Sequence, residues 1–186
     1  MLFDSVCIVG VGLIGGSFGM AVRERGLARQ VVGAVRREQT AKQAIERGAL
    51  DGASLDLAEA ARGADLVFMA PPVGQMPNLC KQLAPVVRAD AIITDGGSTK
   101  ANVVEQCTEI FSKKAYFVGG HPMAGSERTG VEAARSDLFE GAIWVLTPTS
   151  DVDPPVVNQL IELVEALGAP AELFLDPSHT YRLPLH

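Results

Sequence analysis

The sequence predicts an α/β fold in which a doubly wound, mostly parallel sheet carries helices on both faces. Short apolar runs rich in Val and Ile alternate with helical patterns of about ten residues, the order that strand–helix–strand crossovers produce. These runs are continuously apolar, as strands buried on both faces require. In addition, the first run leads directly into a glycine-rich turn.

The predicted elements follow in strict alternation along most of the chain. The predicted strands cover residues 5–10, 30–35, 65–70, 91–95, 115–118, 142–147 and 171–175. The predicted helices cover residues 14–25, 39–47, 55–62, 76–88, 99–111, 131–136 and 154–167. Gly26 and Gly48 end the first two helices, because glycine readily adopts the conformation that follows a helix. Residues 119–130, rich in Gly, His and Pro, are predicted to form a loop.

Length and composition limit the protein class. A chain of 186 residues is long enough for one domain with a short appendage, and we assign residues 1–175 to the domain and 176–186 to a tail. The net charge of −6 lacks the basic surface that duplex nucleic acid requires, so we expect no nucleic-acid partner. Residues 6–22 carry no charge, but they contain five glycines and follow Asp4 without any basic residue. We therefore expect buried core there, and no export signal or membrane span.

The cysteines indicate a reducing compartment. Cys7, Cys80 and Cys107 lie 73 and 27 residues apart, which matches neither a C-x-x-C metal site nor a disulfide framework. We expect free thiols, no metal and a cytoplasmic location.

The first chemical motif is G-x-G-x-x-G, formed by Gly10, Gly12 and Gly15 around Leu13 and Ile14. The motif is weak alone, but it stands directly after the first strand and opens the first helix. There Gly10 permits a tight turn, Gly12 leaves room for a pyrophosphate, and Gly15 allows close helix packing. This context predicts a Rossmann-type dinucleotide site, although a glycine-rich packing turn is the alternative.

The end of the second strand bears on cofactor choice. NAD-binding folds place an acid there for the ribose hydroxyl, whereas this chain has Arg36 and Arg37. Two guanidiniums suit a 2′-phosphate, so NADP is favoured and NAD remains possible. The alternative is that both arginines are solvated surface residues, since Glu38 follows immediately.

Two further motifs follow later strands. Ser98 and Lys100 stand after the strand that ends at Asp95, where open α/β sheets bind ligands, although Ser98 could instead cap the next helix. His121 stands between glycines and a proline in the predicted loop, and its near-neutral pKa suits a base that takes a proton from a substrate hydroxyl. His179 and His186, in the tail, are weaker candidates.

These motifs together resemble the prephenate/arogenate dehydrogenases of tyrosine biosynthesis. The resemblance rests on G-x-G-L-I-G-G-S at residues 10–17, D-x-G-S-x-K at 95–100, G-G-H-P-M-A-G-S-E at 119–127, and the downstream Leu138-Phe139 and residues 144–148. It implies oxidative decarboxylation of prephenate or arogenate, with hydride passing to a nicotinamide cofactor. Members without an acid after the second strand tend to use NADP, in agreement with Arg36.

The resemblance also implies roles for individual residues. His121 would bind and deprotonate the ring hydroxyl, and Ser98 would hydrogen-bond that hydroxyl or the nicotinamide. Gly125, Ser126 and Glu127 would complete the substrate site, with Glu127 lining its entrance.

The sequence departs from the family pattern after His179. Family members continue into a helical domain that dimerises and contributes substrate-binding groups, so a homodimer is implied for full-length members. We expect the 186-residue chain to fold and to bind NADP, but to show weak turnover and to self-associate. Two alternatives stay open: another NADP-dependent oxidoreductase of the β-hydroxyacid dehydrogenase type, or a non-catalytic nucleotide-binding module.

Overall fold

An eight-stranded sheet organises the part of the chain that the structure describes. The structure, a computed structural model, describes residues 1–98, 101–112 and 114–174. The strands are β1 (Phe3–Val9), β2 (Ala28–Ala34), β3 (Gly52–Ser54), β4 (Leu66–Met69), β5 (Ile92–Asp95), β6 (Tyr116–Pro122), β7 (Trp144–Thr147) and β8 (Ala171–Leu173). The helices are α1 (Leu13–Glu24), α2 (Glu38–Glu46), α3 (Leu57–Ala61), α4 (Met76–Leu83), α5 (Ala101–Phe111) and α6 (Pro154–Ala166).

The strand order is β3-β2-β1-β4-β5-β6-β7-β8, and every neighbouring pair is parallel except β6 and β7. The chain winds outward from β1 to β3, returns to β4 beside β1, and then winds in the other direction. The carboxyl ends of β1, β4, β5 and β6 therefore meet at one edge of the sheet. The order reverses between β1 and β4, which is where ligands bind in open α/β sheets.

The helices cover both faces of the sheet, as predicted. One buried cluster contains Phe18 of α1, Ala44 of α2 and Leu160 of α6, whereas the other contains side chains of α3, α4 and α5. Along β1, Ile8 packs into the first cluster while its neighbours Cys7 and Val9 pack into the second. This alternation explains the continuous apolar run, because successive strand side chains point to opposite faces.

Aromatic rings fill the first face behind the turns that follow β1 and β5. The Phe18 and Phe68 rings are stacked with their centroids 4.0 Å apart, and Trp144 lies 5.9 Å from Phe68. These contacts join α1, β4 and β7, so the antiparallel strand is packed against the same core as the parallel ones.

Several predicted boundaries are corrected by the structure. The prediction of a loop over residues 119–130 is wrong for its first four residues, because β6 continues to Pro122 by pairing with β7. The predicted helix over residues 131–136 is only a single 3₁₀ turn, Val131–Ala133. The helix predicted to end at residue 88 ends at Leu83, two residues before Pro85, which cannot donate a helical hydrogen bond. The short strand β3 was not predicted.

Some predictions lie outside the described residues. These are the helix start at Thr99, the position of Lys100, the strand end at Leu175, and the tail at residues 176–186. The uncharged segment 6–22 is divided between β1, the glycine turn and α1, and no helix within the described ranges is long and apolar enough to cross a membrane.

Candidate functional site

The glycine turn between β1 and α1 requires glycine at two of its three motif positions. Gly10 has φ +89°, and a Cβ there would lie 2.8 Å from the backbone of Ala70 at the end of β4. A Cβ at Gly15 would lie within van der Waals overlap of the Gly10 carbonyl, 2.1 Å from its oxygen. The first and third glycines therefore let α1 begin directly over the turn and close to the neighbouring strand.

Gly12 differs, because a Cβ built on it meets no atom within 4 Å. The fold itself thus leaves the space in front of Gly12 open. Gly12 is also the N-cap of α1, no side chain of the described residues caps the helix, and its first turn holds no acid. An uncapped helix start with free space before it fits an anionic pyrophosphate, which would accept hydrogen bonds from the backbone amides.

Arg36 and Arg37 follow β2 and both are exposed. Arg37 precedes α2 with its backbone extended, and its side chain makes no capping hydrogen bond. Within the described ranges, neither guanidinium forms an ion pair. Both charges are therefore available to a ligand at the carboxyl end of β2, next to the glycine turn that follows the adjacent β1.

The turn after β5 touches the start of α1. A Cβ on Gly96 would lie 3.0 Å from the Cγ2 atom of Ile14, so the Gly96 backbone packs against the second residue of α1. Ser98 is exposed, two residues further along the same turn. The structure thus brings the glycine motif and the Ser98 motif together at one edge of the sheet.

His121 lies near the end of β6, half-buried and beside the turn after β5. Its Nδ1 atom lies 3.0 Å from the carbonyl oxygen of Gly97. Because a carbonyl can only accept, Nδ1 donates in this contact, and the neutral ring then carries its lone pair on Nε2. His121 therefore lies on a strand, directly opposite Val145 of β7, which holds its backbone more firmly than the predicted loop would.

The segment after β6 is exposed and folds back to α1. Gly125, Ser126 and Glu127 are all exposed, and the Ser126 hydroxyl accepts a hydrogen bond from the Arg128 amide at 3.1 Å. The described contacts of Ser126 are within its own turn, and nothing near Gly125 requires a glycine. Further on, the buried Ser17 hydroxyl of α1 accepts from the Arg135 amide at 3.0 Å.

Sequence reasoning missed two residues that organise this edge. Asp95 lies in the D-x-G-S-x-K motif and had no predicted role, yet it is fully buried and accepts hydrogen bonds from the backbone of the turn after β5 and of β6. Ser17 lies in the glycine motif and also had no predicted role, yet it anchors the segment that follows the exposed loop. Only Asp95 had a signal in the sequence: it is an acidic residue at the end of an otherwise uncharged strand, and buried carboxylates are rare without partners.

Comparisons with known proteins agree with this geometry. Residues 18–173 match the family model described as "Prephenate dehydrogenase, nucleotide-binding domain". The chain is 35% identical over 167 residues to a prephenate dehydrogenase of Bacillus subtilis (strain 168), covering 89% of this chain and 45% of that protein.

Two solved structures share the fold closely. The prephenate dehydrogenase from A. aeolicus in complex with hydroxyphenyl propionate and NAD+ has a TM-score of 0.87 and 31% identity, covering 94% of this chain and 60% of that one. The Synechocystis arogenate dehydrogenase has a TM-score of 0.86 and 33% identity, covering 92% of this chain and 59% of that one.

The chain spans about half the length of the relatives that it matches, and the match falls on their nucleotide-binding part. The motifs, the sheet order and the matched family model lead to one conclusion. The chain belongs to the prephenate dehydrogenase family and carries its nucleotide-binding domain.

Proposed function

We propose that this chain binds NADP and supplies the oxidising half of an enzyme that oxidatively decarboxylates prephenate or arogenate. The observation that carries the proposal is the hydrogen bond between His121 Nδ1 and the Gly97 carbonyl, made at the sheet edge that also bears the glycine turn. Because Nδ1 donates to this carbonyl, Nε2 can accept a proton, and His121 can act as a base at the edge of the sheet where the cofactor would bind.

The cofactor is held by groups at the carboxyl ends of β1 and β2. The backbone of Gly10, Gly12 and Gly15 and the flanking Leu13 and Ile14 form the pyrophosphate turn, with the amides of the first turn of α1 as donors. The free guanidiniums of Arg36 and Arg37 bind the 2′-phosphate of NADP by charge-assisted hydrogen bonds. When bound, the nicotinamide ring supplies the hydride acceptor.

The substrate is activated by groups at the carboxyl ends of β5 and β6. His121 accepts the proton of the ring hydroxyl at Nε2 as hydride leaves the carbon that bears it, and loss of the ring carboxylate as CO2 then completes aromatisation. Ser98 donates to that hydroxyl oxygen or to the nicotinamide amide. Gly125, Ser126 and Glu127 border the substrate from the exposed segment after β6, with Glu127 at the entrance.

The proposal also covers the domain boundary, the oligomeric state and the location. We assign residues 1–175 to the dinucleotide-binding domain and expect full-length members of the family to act as homodimers. The buried free thiols of Cys7, Cys80 and Cys107 support a reducing, cytoplasmic location.

A spectrophotometric assay tests the proposal. The purified chain, and an extended protein in which the C-terminal part of a full-length relative is joined to it, are mixed with prephenate or arogenate and with NADP or NAD. Formation of the reduced cofactor is followed by absorbance. We expect cofactor reduction with one of the two cyclohexadienyl substrates and a preference for NADP. Reduction with 3-hydroxyacids but with neither cyclohexadienyl substrate would instead support a β-hydroxyacid dehydrogenase. Cofactor binding without any turnover by the extended protein would support a nucleotide-binding module.

A further inference from the structure

The carboxylate of Asp95 is buried and accepts hydrogen bonds from two parts of the candidate site. Asp95 ends β5 and is 0% exposed. Burying a carboxylate is costly unless hydrogen bonds compensate for the lost water. Its partners therefore indicate what the carboxylate does.

The two carboxylate oxygens bond to two different parts of the chain. Oδ2 accepts the amide hydrogen of Gly97 at 2.8 Å, which closes the turn directly after β5. Oδ1 accepts the amide hydrogen of Gly120 at 3.0 Å, on the neighbouring strand β6. Gly120 immediately precedes His121, and the Gly97 carbonyl is the group that accepts from His121 Nδ1.

We propose that Asp95 is a positioning residue that selects the tautomer of His121 by fixing both partners of the His121–Gly97 hydrogen bond. The inference rests on the proposed function in taking His121 as the base. One oxygen orients the turn that presents the Gly97 carbonyl, and the other holds the strand that presents the imidazole. With both fixed, the proton is kept on Nδ1 and Nε2 remains the acceptor.

Close packing restricts the turn to this arrangement. A Cβ on Gly97 would lie 2.9 Å from Asp95 Oδ2 and 2.9 Å from the Met76 side chain. A Cβ on Gly120 would lie 2.5 Å from the Asp95 carbonyl oxygen. At both positions whose amides bond to the carboxylate, a side chain would therefore clash with neighbouring atoms. Because both residues are glycines, the backbone can approach the carboxylate to hydrogen-bonding distance.

The first test uses the unaltered 186-residue chain. The ¹⁵N chemical shifts of the imidazole nitrogens, measured above the pH at which histidine ionises, report which nitrogen carries the proton. The His121→Asn variant identifies the His121 signals by their disappearance. We expect His121 almost entirely in the form protonated at Nδ1. A form protonated at Nε2 would overturn the proposal, because Nδ1 could then not donate to Gly97.

The second test changes the carboxylate. Asp95→Asn keeps the shape but leaves one accepting oxygen, so its NH₂ group must face one of the two backbone N–H donors. We expect the tautomer preference of His121 to be lost, and kcat to fall about 10²-fold, as misplacement of a catalytic group does, while the KM for NADP changes little. Thr94→Val is the matched control, because Thr94 is equally buried on β5 and its hydroxyl has no partner in the described structure.

A folded Asp95→Asn protein with the wild-type tautomer would contradict the proposal. If that variant does not fold, Gly97→Ala serves instead, since it retains the carboxylate while its methyl group displaces the turn. We expect the same loss of tautomer preference, and an unchanged tautomer would again overturn the inference.

The outcomes separate this inference from the proposed function. If the extended protein without further substitution turns over neither cyclohexadienyl substrate, the proposed function fails, but the tautomer measurements still decide whether Asp95 positions His121. If turnover is found and the tautomer of His121 is insensitive to both variants, only the inference about Asp95 fails.

Discussion

Discrimination between the two forms of the cofactor depends on single charges at the end of β2. Arg36→Ala removes a charge-assisted contact to the 2′-phosphate, worth about 1.5 to 3 kcal/mol, so we expect NADP affinity to fall about ten- to a hundredfold. NAD, which lacks that phosphate, should bind nearly as before. Calorimetric titration with each cofactor measures both affinities.

A matched arginine controls for the loss of positive charge. Arg29 lies at the other end of β2, 73% exposed and paired with Asp4, so Arg29→Ala should leave the affinity for both cofactors unchanged. Tighter binding of NAD than of NADP by the unaltered chain would contradict the assignment of Arg36 and Arg37.

The histidine on β6 is the residue on which proton transfer depends. His121→Asn retains a hydrogen-bonding side chain but removes the base, so we expect kcat to fall about 10²- to 10⁴-fold, with little change in the Kd for NADP. The measurement is steady-state turnover of the extended protein across pH, in which the ionisation of the base should disappear from the profile. Near wild-type turnover by this variant would remove His121 from the mechanism.

In the turn between β1 and α1, close packing requires glycine at Gly10 and Gly15, whereas Gly12 leaves room for a ligand. Gly12→Ala places a methyl group where no protein atom lies within 4 Å, so stability should change by less than about 1 kcal/mol while NADP binding is lost. Gly15→Ala places its methyl group against the Gly10 carbonyl and should cost about 1 to 3 kcal/mol or more. Urea unfolding and calorimetric titration of both variants measure the two effects. Equal destabilisation by the two substitutions would contradict this distinction.

The order of strands and helices could be predicted from sequence, because each element has a local apolar period. The end of β6 could not be predicted, because its last four residues form a strand only by pairing with β7. The paired residues run from Gly119 opposite Thr147 to Pro122 opposite Trp144. His121 was thus a candidate base from sequence, and its assignment to a loop was wrong. The turn and N-cap at Gly10 to Gly15 were predictable because that motif is contiguous, whereas the bond from Asp95 to Gly120 joins residues 25 apart in sequence.

Thiols buried in the core of the fold make the free energy of unfolding depend on alkaline pH. Burial raises the pKa of Cys7 to about 12, from 9.0 for an exposed thiol. The unfolded chain therefore loses this proton first, so the free energy of unfolding should fall as pH rises from about 9 to about 12, by up to about 1.4 kcal/mol per pH unit for this group. Below pH 9 the contribution is fully present.

Urea unfolding at a series of alkaline pH values measures this dependence. The Cys7→Ala variant, which lacks the thiol, should show a shallower decline than the unaltered chain. Identical declines in the two proteins would show that Cys7 is accessible to solvent in the native state.

We expect a dinucleotide to bind across the carboxyl edge of this sheet, from the glycine turn to His121. Titration of the ¹⁵N-labelled 186-residue chain with NADP, followed by amide NMR shifts, locates the bound cofactor. We predict that the largest shifts occur at Gly10, Gly12, Gly15 and Arg36, with smaller ones at Ser98 and His121, while amides at the opposite edge such as Tyr116 stay unchanged. If saturating NADP shifted none of these amides in the folded chain, or shifted only amides at the Tyr116 edge, the dinucleotide would not bind at the carboxyl edge of the sheet.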